Sequence, residues 1–479
     1  MSHRGRSELL RSMPARVQAW FELASRPADG SWLAAFRVLY GLSMCVSMLR
    51  FIAYGWIDDA FVRPQFHFKY WGFGWVEALP ARELHALFWI LAGLALAVAL
   101  GFCFRISALL FVAGFSYLQL IDVTTYLNHY YLASLLGLLL AVSPAQRVFS
   151  LDARLRPRLA ERSLPAGWLY LFRFQVGVVY TFAGIAKAHT DWLIHAQPLR
   201  IWLGARTDLA LLGPLFTYEW APLMLSWAGF LFDSTIVLWL SWSRTRSLAY
   251  LFVVVFHFVT RMLFPIGMFP VIMVFSALVF FPPDWPWRLV ARARRLFGAG
   301  APAASALPAP VGESASTRAR FGRAAVLVAL AYCGVQLLLP LRFLAYGGNV
   351  RWHEQGMRFS WRVMVREKNG SITYWVRSLR TGRVWEVSPR RYLTRRQERE
   401  MSGQPDLILQ LAHHIRDDFA QRGLGPVEVR AEALVSLNGR RVAPLIDPNV
   451  DLARVHDGVG RAHWVLSGPP APPPHTRPI

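Results

Sequence analysis

Charged residues are scarce in this chain: 17% of its 479 residues are Asp, Glu, Lys or Arg, where a soluble globular domain carries about a quarter. So little polar surface excludes an ordinary water-soluble fold of this length. Acidic residues are scarcer still, 29 against 52 Lys+Arg, leaving a formal charge of +23. Cysteine is nearly missing, with 3 in the whole chain, which excludes a small disulfide-stapled scaffold. Cys45, Cys103 and Cys333 fall in or at the ends of apolar runs and read as small packing residues rather than a disulfide framework. There is no P-loop, no Gly-x-Gly-x-x-Gly after a strand and no Cys-x-x-Cys. What the chain does have is apolar mass: 20 Trp, 32 Phe and 15 Tyr, too much to remain unfolded in water.

That mass is organised in long runs. About 17–25 consecutive apolar residues suffice to cross a bilayer as a helix. Nine such runs occur, at roughly 32–54, 84–102, 106–121, 127–144, 167–187, 220–242, 246–263, 264–282 and 323–344. The third and fourth are short, and only Pro265 divides the seventh from the eighth. The connections alternate in charge. Arginines crowd the N-terminal segment 1–31 (Arg4, Arg6, Arg11, Arg16, Arg26), the fourth connection (Arg147, Arg154, Arg156, Arg158, Arg162) and the eighth (Arg288, Arg292, Arg294, Arg295). The odd-numbered connections are near neutral. The positive-inside rule then predicts a cytoplasmic N-terminus, nine spans over 32–344 and an extracytoplasmic C-terminal region. The first run reads as a signal-anchor, in the inner membrane if the cell is bacterial. Most of the positive charge marks topology, which removes the case for nucleic acid as a partner.

Residues 298–317 read as a small-residue, Pro-rich linker. After 345 the pattern changes to a small α+β domain reaching about residue 465. Phe359–Arg366, Ile372–Arg377, Arg383–Val387 and Val427–Leu437 read as strands, and Leu407–Gln421 as an amphipathic helix. Lys368-Asn369-Gly370, Thr381-Gly382 and Asn438-Gly439 read as turns, and 466–479 as a disordered Pro-rich tail. The fold class is therefore a polytopic α-helical membrane protein with a C-terminal extracytoplasmic α+β domain.

Ionisable groups at membrane depth cost several kcal/mol and mark function or a buried partner. Arg37 and Arg50 lie near the ends of the first span and can snorkel. Arg173 and Asp233 lie deeper and read as a mutual pair. Lys187 closes the fifth span, and His129 opens the fourth from the same side, so topology sets them at similar depth. A desolvated lysine beside an imidazole can act as a general base; the structural alternative is a lysine snorkelling to the headgroups. His257 and Arg261, one turn apart on the seventh span, are candidates for orienting an anionic ligand, or simply packing and anchoring residues. His413-His414 with Asp417-Asp418 imitates a metal set, but adjacent histidines on a helix do not share a face, so no metal is expected.

Several segments, in order, resemble the vitamin K-dependent gamma-carboxylase family, whose membrane part is called the horizontally transferred transmembrane domain. They are Phe36-Arg37-Val38, Tyr54-Gly55-Trp56-Ile57, Phe66-His67-Phe68-Lys69-Tyr70, Asn128-His129-Tyr130-Tyr131-Leu132 and Ala183-Gly184-Ile185-Ala186-Lys187 with Asp191-Trp192. Further along stand Ile266-Gly267-Met268-Phe269-Pro270, Pro283-Asp284-Trp285-Pro286, Phe359-Ser360-Trp361-Arg362-Val363-Met364-Val365, Val435-Ser436-Leu437-Asn438-Gly439-Arg440 and Asp447-Pro448-Asn449-Val450-Asp451. The likeness runs from about residue 32 to 455 and is closest to a prokaryotic-type member.

The resemblance implies a lyase: a carboxylase that epoxidises vitamin K hydroquinone, or a menaquinol-like reduced quinone, with O2 and adds CO2 to glutamate in a protein or peptide outside the cytoplasm. Membrane lipid and a quinone-reducing enzyme would be its other partners. It assigns the catalytic base to Lys187, assistance to His129 with Asn128 beside it in the quinol site, and glutamate handling to the region of Tyr374. The chain departs from animal members in three ways: Ala186 replaces the first of two adjacent lysines, the C-terminal domain lacks cysteine, and the C-terminus is shorter. Two other readings remain open: a quinol epoxidase with no protein substrate, and a non-catalytic lipid- or quinone-binding protein.

Overall fold

The computed structural model describes residues 15–210, 212–296 and 323–474. The linker expected at 298–317 lies outside the described residues. Each of the nine apolar runs holds a helix. After α1 (Ala15–Ser25) come α2 (Ser31–Ala53), α3 (Ala81–Leu100), α4 (Phe104–Ile121), α5 (Asn128–Val142) and α6 (Gly167–Lys187). Then follow α7 (Trp220–Ser241), α8 (Arg246–Leu263), α9 (Phe269–Ser276), α10 (Trp285–Leu296) and α11 (Arg323–Leu341). Seven of these helices are long and apolar enough to cross a membrane among the described residues. Two expected spans differ. The fourth, α5, is only 15 residues long, and the eighth is bent by 97° between Phe269–Phe280 and Trp285–Leu296. The chain is an integral membrane protein with seven to eight spans by this criterion.

Small residues let these helices approach closely, as membrane packing requires where no hydrophobic force acts between helices. A Cβ on Gly41 of α2 would lie 2.6 Å from the Ala95 oxygen and the Ala99 nitrogen of α3. Arg37, fully buried, does not snorkel. Its guanidinium binds the carbonyls of Ala145 (2.6 Å), Val148 (3.1 Å) and Phe149 (2.5 Å), tying α2 to the connection after α5. Such carbonyls have no helical partner of their own, so they can take the full set of donors. Arg173 likewise bonds carbonyls, at Val279 (2.8 Å) and Phe281 (3.1 Å), and so is not the partner of Asp233.

The C-terminal domain is a four-stranded antiparallel sheet, β4-β3-β5-β6 in spatial order, with a helix against it. Its strands are β3 (Lys368–Ser378), β4 (Val384–Val387), β5 (Val427–Leu437) and β6 (Ala443–Pro444); β1 (Pro27–Asp29) and β2 (Ser163–Pro165) form a separate ribbon in the membrane part. Burial alternates along β5, so one face carries the core. Helices α12 (Arg395–Ser402) and α13 (Pro405–Gln421) complete the domain. Three expectations are corrected here. Lys368-Asn369-Gly370 is not a turn, because β3 pairs with β5 along its whole length, from Lys368↔Leu437 to Ser378↔Val427. Phe359–Arg366 is not a strand: Phe359, Trp361 and Met364 sit at φ 59°, 58° and 53°, which breaks an extended run. The tail is docked as far as Pro474, with Arg440 Nε donating to Ala471 O at 2.8 Å.

The domain sits on the end of the bundle that carries the first, third and fifth connections. Gln410 bonds the Lys69 backbone twice at 2.9 Å, Gln397 Nε2 reaches Asp122 Oδ2 at 2.8 Å, and Arg440 grips Asp191.

Candidate active site

Near that end, α6 and α7 touch at Gly184, where a Cβ would lie 2.6 Å from Ser234 Oγ and 3.0 Å from its nitrogen. This close approach brings Lys187, on the last turn of α6, against Asp233 of α7. Their Nζ and Oδ2 are 2.6 Å apart, and both side chains are 8% exposed. The expected Arg173–Asp233 pair is thus replaced by Lys187–Asp233, and Lys187 neither snorkels to the surface nor has His129 as its ion-pair or hydrogen-bond partner. Trp192, fixed by Nε1 donating to Ser226 O at 2.8 Å, presents its ring 5.3 Å from Lys187 Nζ, the distance at which a protonated amine gains a cation–π contact.

Lys187 and Asp233 face a cavity of about 150 Å³, otherwise walled by apolar side chains such as Leu203, Phe256, Leu263, Phe264 and Met273. A dry void of about this size holds one aromatic ring. A second polar group enters it. His257 is 2% exposed and its Nε2 lies 3.1 Å from Tyr180 Oη, while Nδ1 is buried with no hydrogen-bond partner among the described residues. An orphaned ring nitrogen in an apolar wall is what a ligand oxygen would satisfy. The lining therefore fits a lipophilic ring bearing polar oxygens.

The remaining sequence candidates are placed as follows. His129 is buried next to Gly267, whose Cβ would lie 3.5 Å from its Nε2, and does not line the cavity. Phe269 contacts both histidines, with ring centroids 6.1 Å from His129 and 5.7 Å from His257. Asn128 accepts from Tyr126 Oη at 3.1 Å and borders a different chamber. Arg261 is exposed and absent from the cavity lining, so it does not join His257 there. Tyr374 is fully buried in the core of the C-terminal domain, its Oη donating to Ile408 O at 2.9 Å, and offers nothing to a substrate. His413 Nε2 contacts the Val455 carbonyl at 2.8 Å, and among the described residues no His/Cys/Asp/Glu group could hold a metal.

The Asn128 chamber, of about 200 Å³, lies between the membrane part and the C-terminal domain and is lined by Arg358, Arg362 and Arg366. Asp406 holds Arg358 at 2.5 Å and Glu354 holds Arg366 at 2.9 Å. Arg362 has no carboxylate within ion-pair distance among the described residues, and its Nε is buried without a partner. Burial, then the nearby Arg351, bring Arg362 down to about 10, still a cation at neutral pH. Met364 borders both this chamber and the apolar cavity.

Asp191, in the fifth connection four residues after Lys187, fixes the C-terminal domain near it. Arg440 binds both its oxygens at 2.7 Å and Asn438 Nδ2 donates at 2.8 Å. Burial would raise the Asp191 carboxyl, but these bonds outweigh it and bring it down to about 2. The two sequence motifs around Asp191-Trp192 and Asn438-Gly439-Arg440, 247 residues apart at the Asp191–Asn438 contact, are therefore one interface.

Residues 25–285 match the family model of the HTTM domain, and residues 322–470 match that of the vitamin K-dependent gamma-carboxylase lumenal domain. The chain belongs to the vitamin K-dependent gamma-carboxylase family. No solved structure matches it. The first match covers the bundle through α9, and the second covers α11 together with the α+β domain. In this carboxylase-family chain the cavity between α6, α7 and α8 lies where those parts meet. Sequence reading missed Tyr180, the partner of Asp233 and the Asp191–Arg440 pair, because each contact joins residues on different elements.

Proposed function

We propose that the protein is a quinol-dependent glutamyl carboxylase and epoxidase, with Lys187 as the base at the reduced quinone. What carries this reading is the buried Lys187, held at the end of a largely apolar, ring-sized cavity that shares Met364 with an arginine-lined chamber. Bound reduced vitamin K, or a menaquinol-like quinol, supplies with O2 the strong base that removes the glutamate γ-proton before CO2 is captured. Lys187 Nζ receives the proton of the quinol hydroxyl, and His257, oriented by Tyr180, bonds a second oxygen through Nδ1. Trp192 and the apolar wall exclude water that would quench a strong base. Arg362 gives the glutamyl carboxylate a counter-ion in the neighbouring chamber. His129 and Asn128 support the site from the outside of its wall, through Gly267 and Phe269 for His129.

In this reading the lipid supplies the quinol laterally, and the peptide comes from the aqueous side outside the cytoplasm, where the C-terminal domain would lie. The test measures epoxide formation and incorporation of labelled CO2 into a glutamyl peptide by protein in lipid, with reduced quinone and O2. Lys187→Ala should abolish both products, a loss of at least about a hundredfold. Arg362→Ala should weaken carboxylation more than epoxidation. Epoxide without labelled peptide would reduce the function to quinol oxidation. Quinone binding with neither product would leave a carrier.

A further inference from the structure

We propose that Asp233 is a positioning residue for the base, the group through which Lys187 is aimed at the cavity and its gained positive charge is balanced. The proposal rests on the reading of Lys187 as base, and four observations carry it. Asp233 Oδ2 lies 2.6 Å from Lys187 Nζ, and among the described residues the only other bond from that nitrogen is a 3.5 Å contact to Ala183 O in its own helix. Both side chains border the cavity and are otherwise enclosed. No other cation forms an ion pair with Asp233 among the described residues, since Arg173 is spent on carbonyls. The contact exists because Gly184 lets α7 against α6, immediately beside Ser234.

A lysine–aspartate pair buried this far gains little stability over an apolar pair, because its polar groups are desolvated. Its geometry is therefore better explained by what the pair does. A long, flexible lysine held by one carboxylate has its nitrogen fixed at the cavity wall rather than swinging among rotamers. The base is Nζ as a neutral amine hydrogen-bonded to Asp233: when the quinol O–H bond breaks heterolytically, the electron pair stays on oxygen and the amine lone pair takes the proton in a new N–H bond. The positive charge so created stands beside the Asp233 carboxylate, which neutralises it within the enclosed wall. No electron leaves the quinol in this step, so it needs no oxidant.

The test compares Asp233→Asn, Asp233→Glu, Lys187→Ala and the double variant Asp233→Asn/Lys187→Ala, in lipid. Asp233→Asn keeps the shape and removes the charge. It should lower kcat for epoxide formation about ten- to a hundredfold, with KM for the quinol within a few-fold of the unchanged protein. Asp233→Glu should recover most of that loss. The double variant should be no slower than Lys187→Ala alone, because a group acting only through Lys187 has nothing left to act on. Acetic anhydride labelling of Lys187, followed by mass spectrometry without quinone, should be several-fold faster in Asp233→Asn, whose amine has lost its partner. Unchanged kcat and labelling in Asp233→Asn would overturn the proposal, as would a further loss in the double variant or no recovery with Asp233→Glu. If Lys187→Ala itself keeps full activity, the base assignment fails first, and the labelling result still reports whether Asp233 holds the amine.

Discussion

Lys187 is legible in the sequence because a cation at the end of an apolar run has few innocent explanations, and its spacing to Asp191-Trp192 fixes the register. Its partner is not. Arg173 and Asp233 both lie deep in spans, and charge alone pairs them; only the packing of α6 on α7 shows that Arg173 turns to carbonyls and leaves Asp233 to Lys187. Tyr374 fails in the opposite way. A tyrosine on a strand of alternating burial points either to solvent or to the core, and the pairing of β3 with β5 directs it to the core. Tyr374→Phe removes one buried bond, to Ile408 O. It should therefore cost about 1 kcal/mol of stability, read as a lowered unfolding midpoint, and leave KM for a glutamyl peptide unchanged.

Among the elements, the apolar runs give helix positions to within a few residues, because twenty apolar residues in lipid can satisfy their backbone only as a helix. The third-run and fifth-run boundaries, for example, fall within two residues of Phe104–Ile121 and on Gly167–Lys187. Local pattern fails where a distant partner decides. Nothing within Lys368–Gly370 says strand until β5 lies beside it, and the polar helix α12 carries no apolar periodicity strong enough to announce itself. Its capping box, Thr394 with Gln397, was the available signal. The glycine between α6 and α7 makes a prediction of its own. Gly184→Val places a branched side chain where a Cβ already meets Ser234 at 2.6 Å. The helices must part, so epoxide formation should fall roughly tenfold or more, with a cost of about 1–3 kcal/mol in stability. Normal turnover in that variant would mean that the α6–α7 approach does not set the Lys187 geometry.

Over the whole molecule, the C-terminal domain and the odd-numbered connections share one end of the bundle, which accords with the alternation of charge along the chain. A reporter fused after residue 345 should be active only outside the cytoplasm; cytoplasmic activity would reverse the assignment. The Asp191–Arg440 interface makes a pH prediction. Its bonded carboxyl lies below the usual value of 3.8, at about 2. The docking it provides is therefore complete above pH 4 and lost as the pH falls through 3.8 toward 2, because protonation removes the acceptor. Proteolytic release of the domain should rise over that interval. Arg440→Ala strands a buried carboxylate and should cost about 3–5 kcal/mol, releasing the domain at neutral pH and removing the acid step.

The sequence by itself determined the class of the protein: apolar runs, arginine placement and a change of pattern after residue 345 are local properties, and the bilayer makes local hydrophobicity decisive. It also named the lysine. Tertiary structure decided the site around that lysine, because a pair such as Lys187–Asp233, an orphaned His257 nitrogen or an Asp191–Arg440 clamp is defined by which elements touch. Those contacts depend on a few glycines and on partners far along the chain, 247 residues for Asp191 and Asn438, and no short window contains both halves.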